Sequence, residues 1–336
     1  SSGTSPYTIT LSSSLPNIIS ASTTVTGGTA GTVTINGLGA SSLAISGDNG
    51  DSARDFNIFN IDSGGDLSIL GMTVSGAQTT SNGGAFNNQG TLSLSNSTIS
   101  GNSARQGGAI LVQYGSLNLS NSIISNNHAT GTGGNGVAGG ILNNGTAVIS
   151  GTTIANNTAV ASGGGIYNFF NSNLTISDST LFGNSAEVSG GGIDNSGILN
   201  LYNSTISGNS VSVSGGGIYN YKTGTINISN STLSGNAAPV GGGGFLNSGS
   251  LNIANTIIAN SIGGDYFGQF GTIGTNTNNL VEDGSLPGTS EITGDPLLGP
   301  LQNNGGPTFT QALLSGSPAI GAGSATISNA TPINGM

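Results

Sequence analysis

Residues that could carry acid, base or charge chemistry are scarce in this chain. Within residues 83–262 the acidic residues are Asp178, Glu187 and Asp194. The basic residues of the whole chain are Arg54, Arg105 and Lys222. Polysaccharide cleavage requires two carboxyl groups at a set separation, or calcium beside a basic residue. The pair that could supply the first arrangement is Asp178 and Asp194.

Asp178 and Asp194 each also have an interpretation without chemistry. Asp178 stands where neighbouring repeats carry Asn, and Asp194 stands where they carry Tyr167 and Tyr219. We therefore interpret Asp178 as a replacement of the usual corner Asn that has no functional role, and Asp194 as a residue that faces solvent. We expect no catalytic residue and no enzyme activity.

Metal binding is the second chemistry to consider. His128 is the single histidine, and no Cys, Asp or Glu lies beside it, whereas a metal site needs several ligands. We expect His128 to be a solvent residue at the start of a long loop. Two acidic groups could bind calcium, but neither has the spacing of an EF-hand loop, so we expect no cofactor, with calcium as the alternative. These groups are Asp48, Asp51, Asp55, Asp62 and Asp66 near the start, and Glu282, Asp283, Glu291 and Asp295 near the end.

Aromatic side chains could form a stripe on which sugars stack. The alternative is simple packing of loops, since aromatic side chains contribute large apolar areas to either role. The candidate aromatic residues are Tyr114, Tyr167, Phe169, Phe170, Tyr202, Tyr219 and Tyr221.

The composition excludes several classes of protein. Of 336 residues, 34% are hydrophobic and 5% are charged, against about 45–50% and about 25% in average globular chains. The net charge of −10 argues against a nucleic-acid partner. No apolar run approaches the roughly 18 residues of a membrane span, so we expect no membrane insertion. The chain has no cysteine, so disulfides play no part.

An internal repeat of about 25 residues organises the chain. The strings SGGGIDNSGILNLYNSTISGN (189–209) and SGGGIYNYKTGTINISNSTLSGN (214–236) are nearly the same. Two series of apolar residues follow this repeat, and a repeat of this length is typical of solenoids. The first series is Phe86, Ile110, Ile141, Ile166, Ile193, Ile218 and Phe245, and the second is Ile99, Ile124, Ile154, Leu181, Ile206, Leu233 and Ile258.

The apolar pattern predicts strands. Between the two series lies an alternating pair such as Leu92 and Leu94, whose period of two puts both side chains on one face of a strand. No segment has a helical period. Each repeat thus contains three groups of apolar residues, namely the two series and the alternating pair. They predict an all-β, right-handed parallel β-helix of roughly nine or ten coils, with three short strands per coil. At about 4.8 Å per coil the rod would be about 45–50 Å long.

Asparagines recur at the corners between the predicted strands. Asn tolerates the left-handed turn conformation, and stacked amides can hydrogen-bond from coil to coil. We therefore interpret three series of Asn as structural ladders. They are Asn96, Asn121, Asn203, Asn230 and Asn255; Asn102, Asn127, Asn157, Asn184, Asn209 and Asn236; and Asn88, Asn143, Asn168, Asn195, Asn220 and Asn247.

The repeat suggests three parts of the chain. Residues 1–20 are expected to form an N-terminal strand or cap, and residues 21–262 the β-helix. After residue 262 the rhythm ends, and six of the nine prolines follow. Because proline cannot donate to a strand ladder, residues 263–336 are expected to form a cap over the last coil or an assembly tail.

Two motifs resemble known families. The glycine corner GGAI (107–110), followed by an Ile-x-x-Asn corner, resembles the repeat of polymorphic outer-membrane proteins, with Ile or Leu mostly in place of Phe. The segment GDPLLGPLQNNGGPTFTQALLSGSPAIGAG (294–323) is similar to the C-terminal segment of secreted bacterial β-helix proteins with variable surface anchors. The resemblance implies a pectin-lyase-like fold on an extracellular, cell-surface bacterial protein. It carries over no catalytic residue.

Two functions from different classes remain open. The first is a non-enzymatic structural rod that assembles with copies of itself into a fibre, sheath or surface layer, with adhesion as an added role. Three acids against two bases in residues 83–262 leave a net charge of −1 there, so little repulsion opposes assembly. The second is a polysaccharide-binding or polysaccharide-cleaving protein, with a cell-surface polysaccharide as partner. The scarcity of charge favours the first.

Overall fold

The protein is a right-handed parallel β-helix of about nine coils, as the repeat predicts. The computed structural model describes residues 7–10, 32–37, 39–47, 55–288 and 292–325. All regular secondary structure in these residues is β-strand, and the named strands pair in parallel from coil to coil. No helix in the described residues is long and apolar enough to cross a membrane.

Three sheets run along the rod, and most coils contribute to each of them. Sheet A is built from single short strands. Its members are Tyr7–Thr10, Leu43–Ser46, Thr73–Ser75, Thr98–Ser100, Ile123–Ser125, Thr153–Ala155, Thr180–Phe182, Thr205–Ser207, Thr232–Ser234, Ile257–Ala259 and Leu280–Val281.

Sheet B consists of two ladders joined by a turn in each coil. The first ladder contains Phe59–Ile61, Phe86–Asn88, Ile166–Asn168, Ile193–Asn195, Ile218–Asn220, Phe245–Asn247 and Tyr266–Gly268. The second contains Thr32–Asn36, Asp66–Leu70, Thr91–Ser95, Asn173–Ser177, Ile198–Tyr202, Thr225–Ser229, Ser250–Ala254 and Thr272–Thr277. Ile110–Ser120 and Ile141–Ser150 run through both ladders.

Sheet C has the fewest strands of the three sheets. In each coil its strand follows the sheet A strand and precedes the first ladder of sheet B. Its strands are Ser103–Ala104, His128–Ala129, Thr158–Ala159, Ser185–Ala186 and Ser210–Val211. A small apolar row made mainly of alanine packs beneath it. The small side chains let this side of the coil pass close to the next corner.

The apolar residues of each repeat stack into one core. Both predicted series are fully buried, and like residues stand over like. Aromatic pairs lie near each end of this stack. Phe59 stacks on Phe86 with ring centroids 5.1 Å apart, and Phe245 meets Tyr266 edge-on at 5.8 Å.

The first asparagine series turns the corner between sheet B and sheet A. Asn96, Asn121, Asn203, Asn230 and Asn255 all have φ between 47° and 51°. Asp178 has φ 51° in the same row, and Gly151 has φ 55°. Asn, Asp and Gly adopt this left-handed conformation at low cost, which is the reason these residue types share the position.

The second asparagine series forms an unbroken amide ladder inside the rod. From Asn102 to Asn209 each side-chain amide donates to the Asn Oδ1 atom of the next coil at 2.9–3.0 Å, and Asn236 ends the series. Each backbone N–H donates to the same oxygen at 3.0 Å. We call this row the closed ladder.

The third asparagine series is interrupted. From Asn143 to Asn247 the amides donate in succession at 2.8–2.9 Å, but Val112 stands between Asn88 and Asn143 in the stack. The buried Oδ1 atom of Asn143 has no hydrogen-bond partner. A valine side chain has no donor to offer it. We call this row the broken ladder.

A fourth polar row was missed in the sequence analysis. The Ser or Thr after each corner residue from Asn96 to Asn255 is buried and donates to the carbonyl two residues back. From Ser97 to Ser231 its hydroxyl also accepts a backbone N–H of the preceding coil. Its signal in the sequence is the hydroxyl residue that follows these corner residues. The row is Ser97, Ser122, Thr152, Ser179, Ser204, Ser231 and Thr256.

The turns between the two ladders of sheet B alternate in length. We call them the turn row. Strand register places four residues in turns 62–65, 169–172 and 221–224, and three in turns 113–115 and 269–271. The intervening turns 89–90, 144–145, 196–197 and 248–249 have two residues each. A longer turn thus occurs at every second coil, with a short one beside it.

The β-helix continues beyond the boundary predicted at residue 262. Strands Tyr266–Gly268, Thr272–Thr277 and Leu280–Val281 form a further coil on the preceding one. The following segment covers the end of sheet A, since Ile292 bridges Leu280, and Leu286 is buried in the core.

Residues 295–325 form an arm that lies along the side of the rod rather than over its end. Two antiparallel bridges hold the arm together, Leu298 with Leu313 and Gln302 with Thr310. Its tip reaches back to sheet A, where Thr180 donates to the Phe309 carbonyl at 2.5 Å. The arm therefore covers the outer face of sheet A across several coils, which the expectation of a cap over the last coil did not include.

At the other end, Tyr7–Thr10 extends sheet A by pairing with Leu43–Ser46. The rest of the predicted N-terminal segment 1–20 lies outside the described residues, as do Asp48, Asp51, Arg54 and Glu291.

Candidate functional site

The structure does not bring the three acids of the central coils together. Asp178 lies exposed at the corner between sheets A and B, and Glu187 is exposed beside sheet C. Asp194 belongs to the first ladder of sheet B. The acids thus lie on different sides of the rod.

The prediction that Asp194 faces solvent is wrong, because its side chain is completely buried. Asp194 points away from the core, but the glycine corner of its own coil folds over it. Gly190 has φ 62°, and a Cβ atom there would lie 2.7 Å from the Asp194 Cβ. Because residue 190 has no side chain, the glycine corner can pack directly over the Asp194 side chain.

Hydroxyl groups surround the buried carboxyl. Ser189 donates to Asp194 Oδ2 at 2.5 Å, and the Ser162 hydroxyl lies 2.9 Å from that of Ser189. Asp194 Oδ1 has no hydrogen-bond partner in the described residues. Desolvation raises the pKa of Asp194 to about 7, and the Ser189 hydrogen bond opposes that rise. The carboxyl is thus poised to change protonation near neutral pH.

Three tyrosines complete this cluster. Tyr167 and Tyr219 flank Asp194 in the stacked strands of the adjacent coils. Burial raises the pKa of Tyr167, and the Asp194 charge raises it further. Burial likewise raises the pKa of Tyr221, whose ring meets that of Tyr219 edge-on at 4.6 Å. A substrate cannot reach Asp194 in this arrangement, so the geometry favours a packing role over acid–base catalysis.

His128 occupies a strand rather than the loop predicted for it. It begins the sheet C strand His128–Ala129, is half-buried, and its Nδ1 atom hydrogen-bonds the Thr158 hydroxyl at 2.5 Å. The expectation of a solvent residue at the start of a loop is therefore wrong.

The proposed calcium groups do not converge on one point in the described residues, where no three His, Cys, Asp or Glu side chains could share a metal ion. Asp55 instead accepts hydrogen bonds from Thr79 and Thr80, which lower its pKa, the Thr80 side chain most of all. Asp265 and Asp283 each accept the backbone N–H of the other. Local backbone and hydroxyl donors thus satisfy these acids.

The predicted aromatic stripe divides into two groups. Tyr167, Tyr219 and Tyr221 pack around Asp194, and Tyr202 is half-buried with its hydroxyl unpartnered. The exposed group lies in the turn row. It consists of Tyr114, Phe169 and Phe170, together with Phe270, which the sequence analysis did not include.

The second ladder of sheet B has an unpaired edge at each end among the described residues, whereas the Tyr266 backbone N–H of the first ladder donates to the Ser285 hydroxyl at 2.9 Å. Tyr266–Gly268 and Thr272–Thr277 pair with the preceding coil on one side, and no strand in this part of the chain pairs on the other. Thr32–Asn36 likewise pairs on one side. The core is incompletely covered there, because Ile273, Val33 and Ile35 are partly exposed, whereas their counterparts Leu251 and Leu67 are fully buried.

These features define a β-solenoid, and the sequence comparison agrees. Residues 82–262 match the family model described as right handed beta helix region. The match covers more than half of the chain, so the protein belongs to this family. No curated protein and no solved structure gave a significant match. The family includes enzymes and non-enzymes, so membership alone does not define the function of this chain.

Proposed function

We propose that this protein is a non-enzymatic, extracellular structural rod that assembles end to end with further copies of itself. The observation that carries the proposal is the unpaired edge of the second ladder of sheet B at the last coil. An unpaired strand edge is a template for another strand, and natural proteins usually cover it. Among the described residues, Ile292 covers the neighbouring edge of sheet A and Ser285 accepts the Tyr266 backbone N–H at 2.9 Å, while no strand pairs with the outer side of Thr272–Thr277.

The two ends complement one another. Within the described ranges, the second ladder of sheet B is unpaired on its outer side at both ends, with the partly exposed Ile273 at one end and Val33 and Ile35 at the other. A copy stacked in register would continue the parallel ladder and complete the cover of these core residues. Such a head-to-tail contact does not close on itself, so it generates a filament.

Low charge supports assembly. The coils of residues 83–262 carry a net charge of −1, so electrostatic repulsion between rods is weak. The extracellular, cell-surface location is part of the same proposal and is supported by the resemblance of the repeat and of segment 294–323 to exported proteins.

Cryo-electron microscopy of the native material, with light scattering of the purified chain at increasing concentration, tests this proposal. We expect fibres whose axial repeat is close to one rod length. Ile273→Lys places a charge at the open end and should leave separate rods. Ile123→Lys is the matched control, because Ile123 is 44% exposed on the side of the rod, and it should still form fibres.

Isolated wild-type rods at every concentration, with and without calcium, would overturn the proposal. So would fibres of unchanged repeat formed by Ile273→Lys. Circular dichroism of both variants checks that each is folded. A panel of polysaccharides assayed for reducing ends and unsaturated products tests the non-enzymatic part, and any product lost in Asp194→Asn would contradict it.

A further inference from the structure

We infer that the turn row is a binding site for a neutral, extended β-1,4-linked polysaccharide, with Tyr114 and Phe170 as stacking platforms. This goes beyond the structural role, because it concerns the side of the rod and not its ends. The inference rests on the spacing, the backbone conformation and the polar surroundings of these aromatics.

The spacing comes from the alternation of turn lengths. Tyr114 lies in turn 113–115, and Phe170 lies in turn 169–172, two coils further along. Strands of adjacent coils are about 4.8 Å apart, so the two platforms are separated by about 9.6 Å along the axis. An extended β-1,4-linked glycan presents the same ring face once per disaccharide, a repeat close to this distance.

The row continues toward the last coil with one change. Phe270 lies in turn 269–271, also an even number of coils away. In the remaining long turn, 221–224, Tyr221 packs inward against Tyr219 and Lys222 is exposed instead. The platforms are therefore Tyr114, Phe170 and Phe270, which are 80%, 52% and 94% exposed.

Backbone conformation singles out two of these residues. Tyr114 has φ 63° and Phe270 has φ 67°. The corresponding position of turn 169–172 is Asn171, with φ 63°. A bulky residue in this region is strained relative to Asn or Gly, and such strain is concentrated at functional sites. Tyrosine and phenylalanine thus occupy exposed positions that packing does not require and that the backbone disfavours.

The surroundings of Tyr114 are polar and open to solvent. An open groove of about 610 Å³ runs beside it along the turn row. Gln89, Thr91, Ser116 and Thr146 line this groove and offer amide and hydroxyl groups to sugar hydroxyls. An aromatic platform beside a few polar side chains is the usual composition of a ligand site.

Charge decides between neutral and anionic glycans. Lys222 is the one basic residue in the turn row, whereas Asp62 lies in turn 62–65 and Asp66 lines the groove. Clusters of basic side chains are what recognise acidic polymers. A polysaccharide without carboxylates or sulfates is therefore the ligand that this surface fits.

Isothermal titration calorimetry with cellobiose, cellotetraose and cellohexaose tests the inference, with oligogalacturonate as the anionic comparison. We expect affinity to rise from the disaccharide to the tetrasaccharide, which is long enough to reach two platforms. Each aromatic contact of this kind contributes a factor of roughly three to ten.

The variants Tyr114→Asn and Phe170→Ser should each weaken cellohexaose binding about three- to tenfold, and together by more. Phe309→Ser is the matched control, because Phe309 is a 45% exposed aromatic on the arm, away from the turn row, and it should bind like wild type. Measuring all of them in the Ile273→Lys background separates glycan binding from fibre formation.

Three results would overturn the inference. The first is no binding of any neutral oligosaccharide. The second is tighter binding of oligogalacturonate that weakens with salt. The third is unchanged cellohexaose binding by the Tyr114→Asn, Phe170→Ser double variant in the Ile273→Lys background. If the same two substitutions, made with Ile273 retained, also abolished side-by-side bundling of fibres, the turn row would be assigned to contact with a second copy of the chain.

Discussion

The closed ladder and the broken ladder are built from the same residue type inside the same coils, yet they differ in completeness. In the closed ladder every Oδ1 atom from Asn127 to Asn236 receives an amide of the preceding coil. In the broken ladder Val112 leaves Asn143 Oδ1 buried and unpaired. The side-chain amide of a stacked Asn hydrogen-bonds the residues in the coils before and after it. Replacing one Asn by an apolar residue therefore leaves the Asn of the next coil without one of its hydrogen bonds.

The turn row shows the opposite rule. Its turns alternate in length, and its exposed aromatic side chains Tyr114, Phe169, Phe170 and Phe270 do not depend on neighbours for hydrogen bonds. Repetition in every coil marks the positions that hold the rod together. Departure from the repeat at the surface marks positions that do not belong to these ladders.

Breaking the closed ladder should have the largest effect on stability. In Asn157→Ala, the Asn127 amide and backbone N–H lose their acceptor, and the Ile124 carbonyl loses a donor, whereas Asn184 Oδ1 keeps the backbone N–H of residue 157. Unsatisfied buried groups cost about 1–3 kcal/mol each, so for these three groups we expect a loss of about 3–6 kcal/mol in the free energy of unfolding.

Urea unfolding followed by circular dichroism measures this loss. Asn118→Ala is the control, since Asn118 is exposed on a strand, and it should change stability by no more than about 0.5 kcal/mol. Equal effects of the two substitutions would show that the amide stack contributes nothing beyond ordinary side-chain packing.

The buried carboxyl of Asp194 should make stability depend on pH, with the next largest effect. Its pKa is about 7 in the folded chain against 3.8 ordinarily, so the folded state holds the proton more tightly. The stabilisation is complete below about pH 4 and is lost as pH rises to about 7. One pKa unit corresponds to about 1.4 kcal/mol, so the loss is at most about 4 kcal/mol.

Asp194→Asn should remove this pH dependence, because an amide has no proton to lose in this range. The measurement is the melting temperature of both chains at pH 5 and pH 8, with Asp178→Asn as the exposed counterpart. A wild-type chain that is as stable at pH 8 as at pH 5, or more so, and unaffected by Asp194→Asn would contradict the burial of this carboxyl.

Repairing the broken ladder should have the smallest effect, and of opposite sign. Val112→Asn supplies the missing donor to Asn143 Oδ1 and joins Asn88 to the stack, so we expect a gain of about 1 kcal/mol. Val148→Asn on the exposed face of the adjacent strand is the matched control and should bring no gain. A loss of stability in Val112→Asn would mean that the apolar contacts of Val112 outweigh the added hydrogen bonds.

Much of the fold followed from local patterns. The alternating pair Leu92 and Leu94, and the series through Ile193 and Ile206, predicted the strands and the core because each coil repeats the same short-range environment. The parallel β-helix and its three strands per coil are confirmed. The hydroxyl row through Ser122 and Ser179 was visible in the same repeat but was not recognised.

The candidate sites were harder to predict. Asp194, which stands where neighbouring repeats carry Tyr167 and Tyr219, was expected in solvent, but Gly190 and these tyrosines cover it. Tyr221 and Phe170 occupy similar turns in sequence, yet one packs inward and the other is exposed. Which of two such side chains is covered depends on the residues above and below it, which lie about 25 positions away.

The sequence by itself determined the coil, its period and the residues that fill it, since these depend on contacts that recur in every repeat. The tertiary structure decided what departs from the repeat: the extra coil to Val281, the arm that folds back to Thr180, the burial of Asp194 and, in the part of the chain that is described, the unpaired edge of Thr272–Thr277. Each of these features depends on which segment of the chain packs over a given surface. That packing joins residues that are distant in sequence, so no local pattern predicts it.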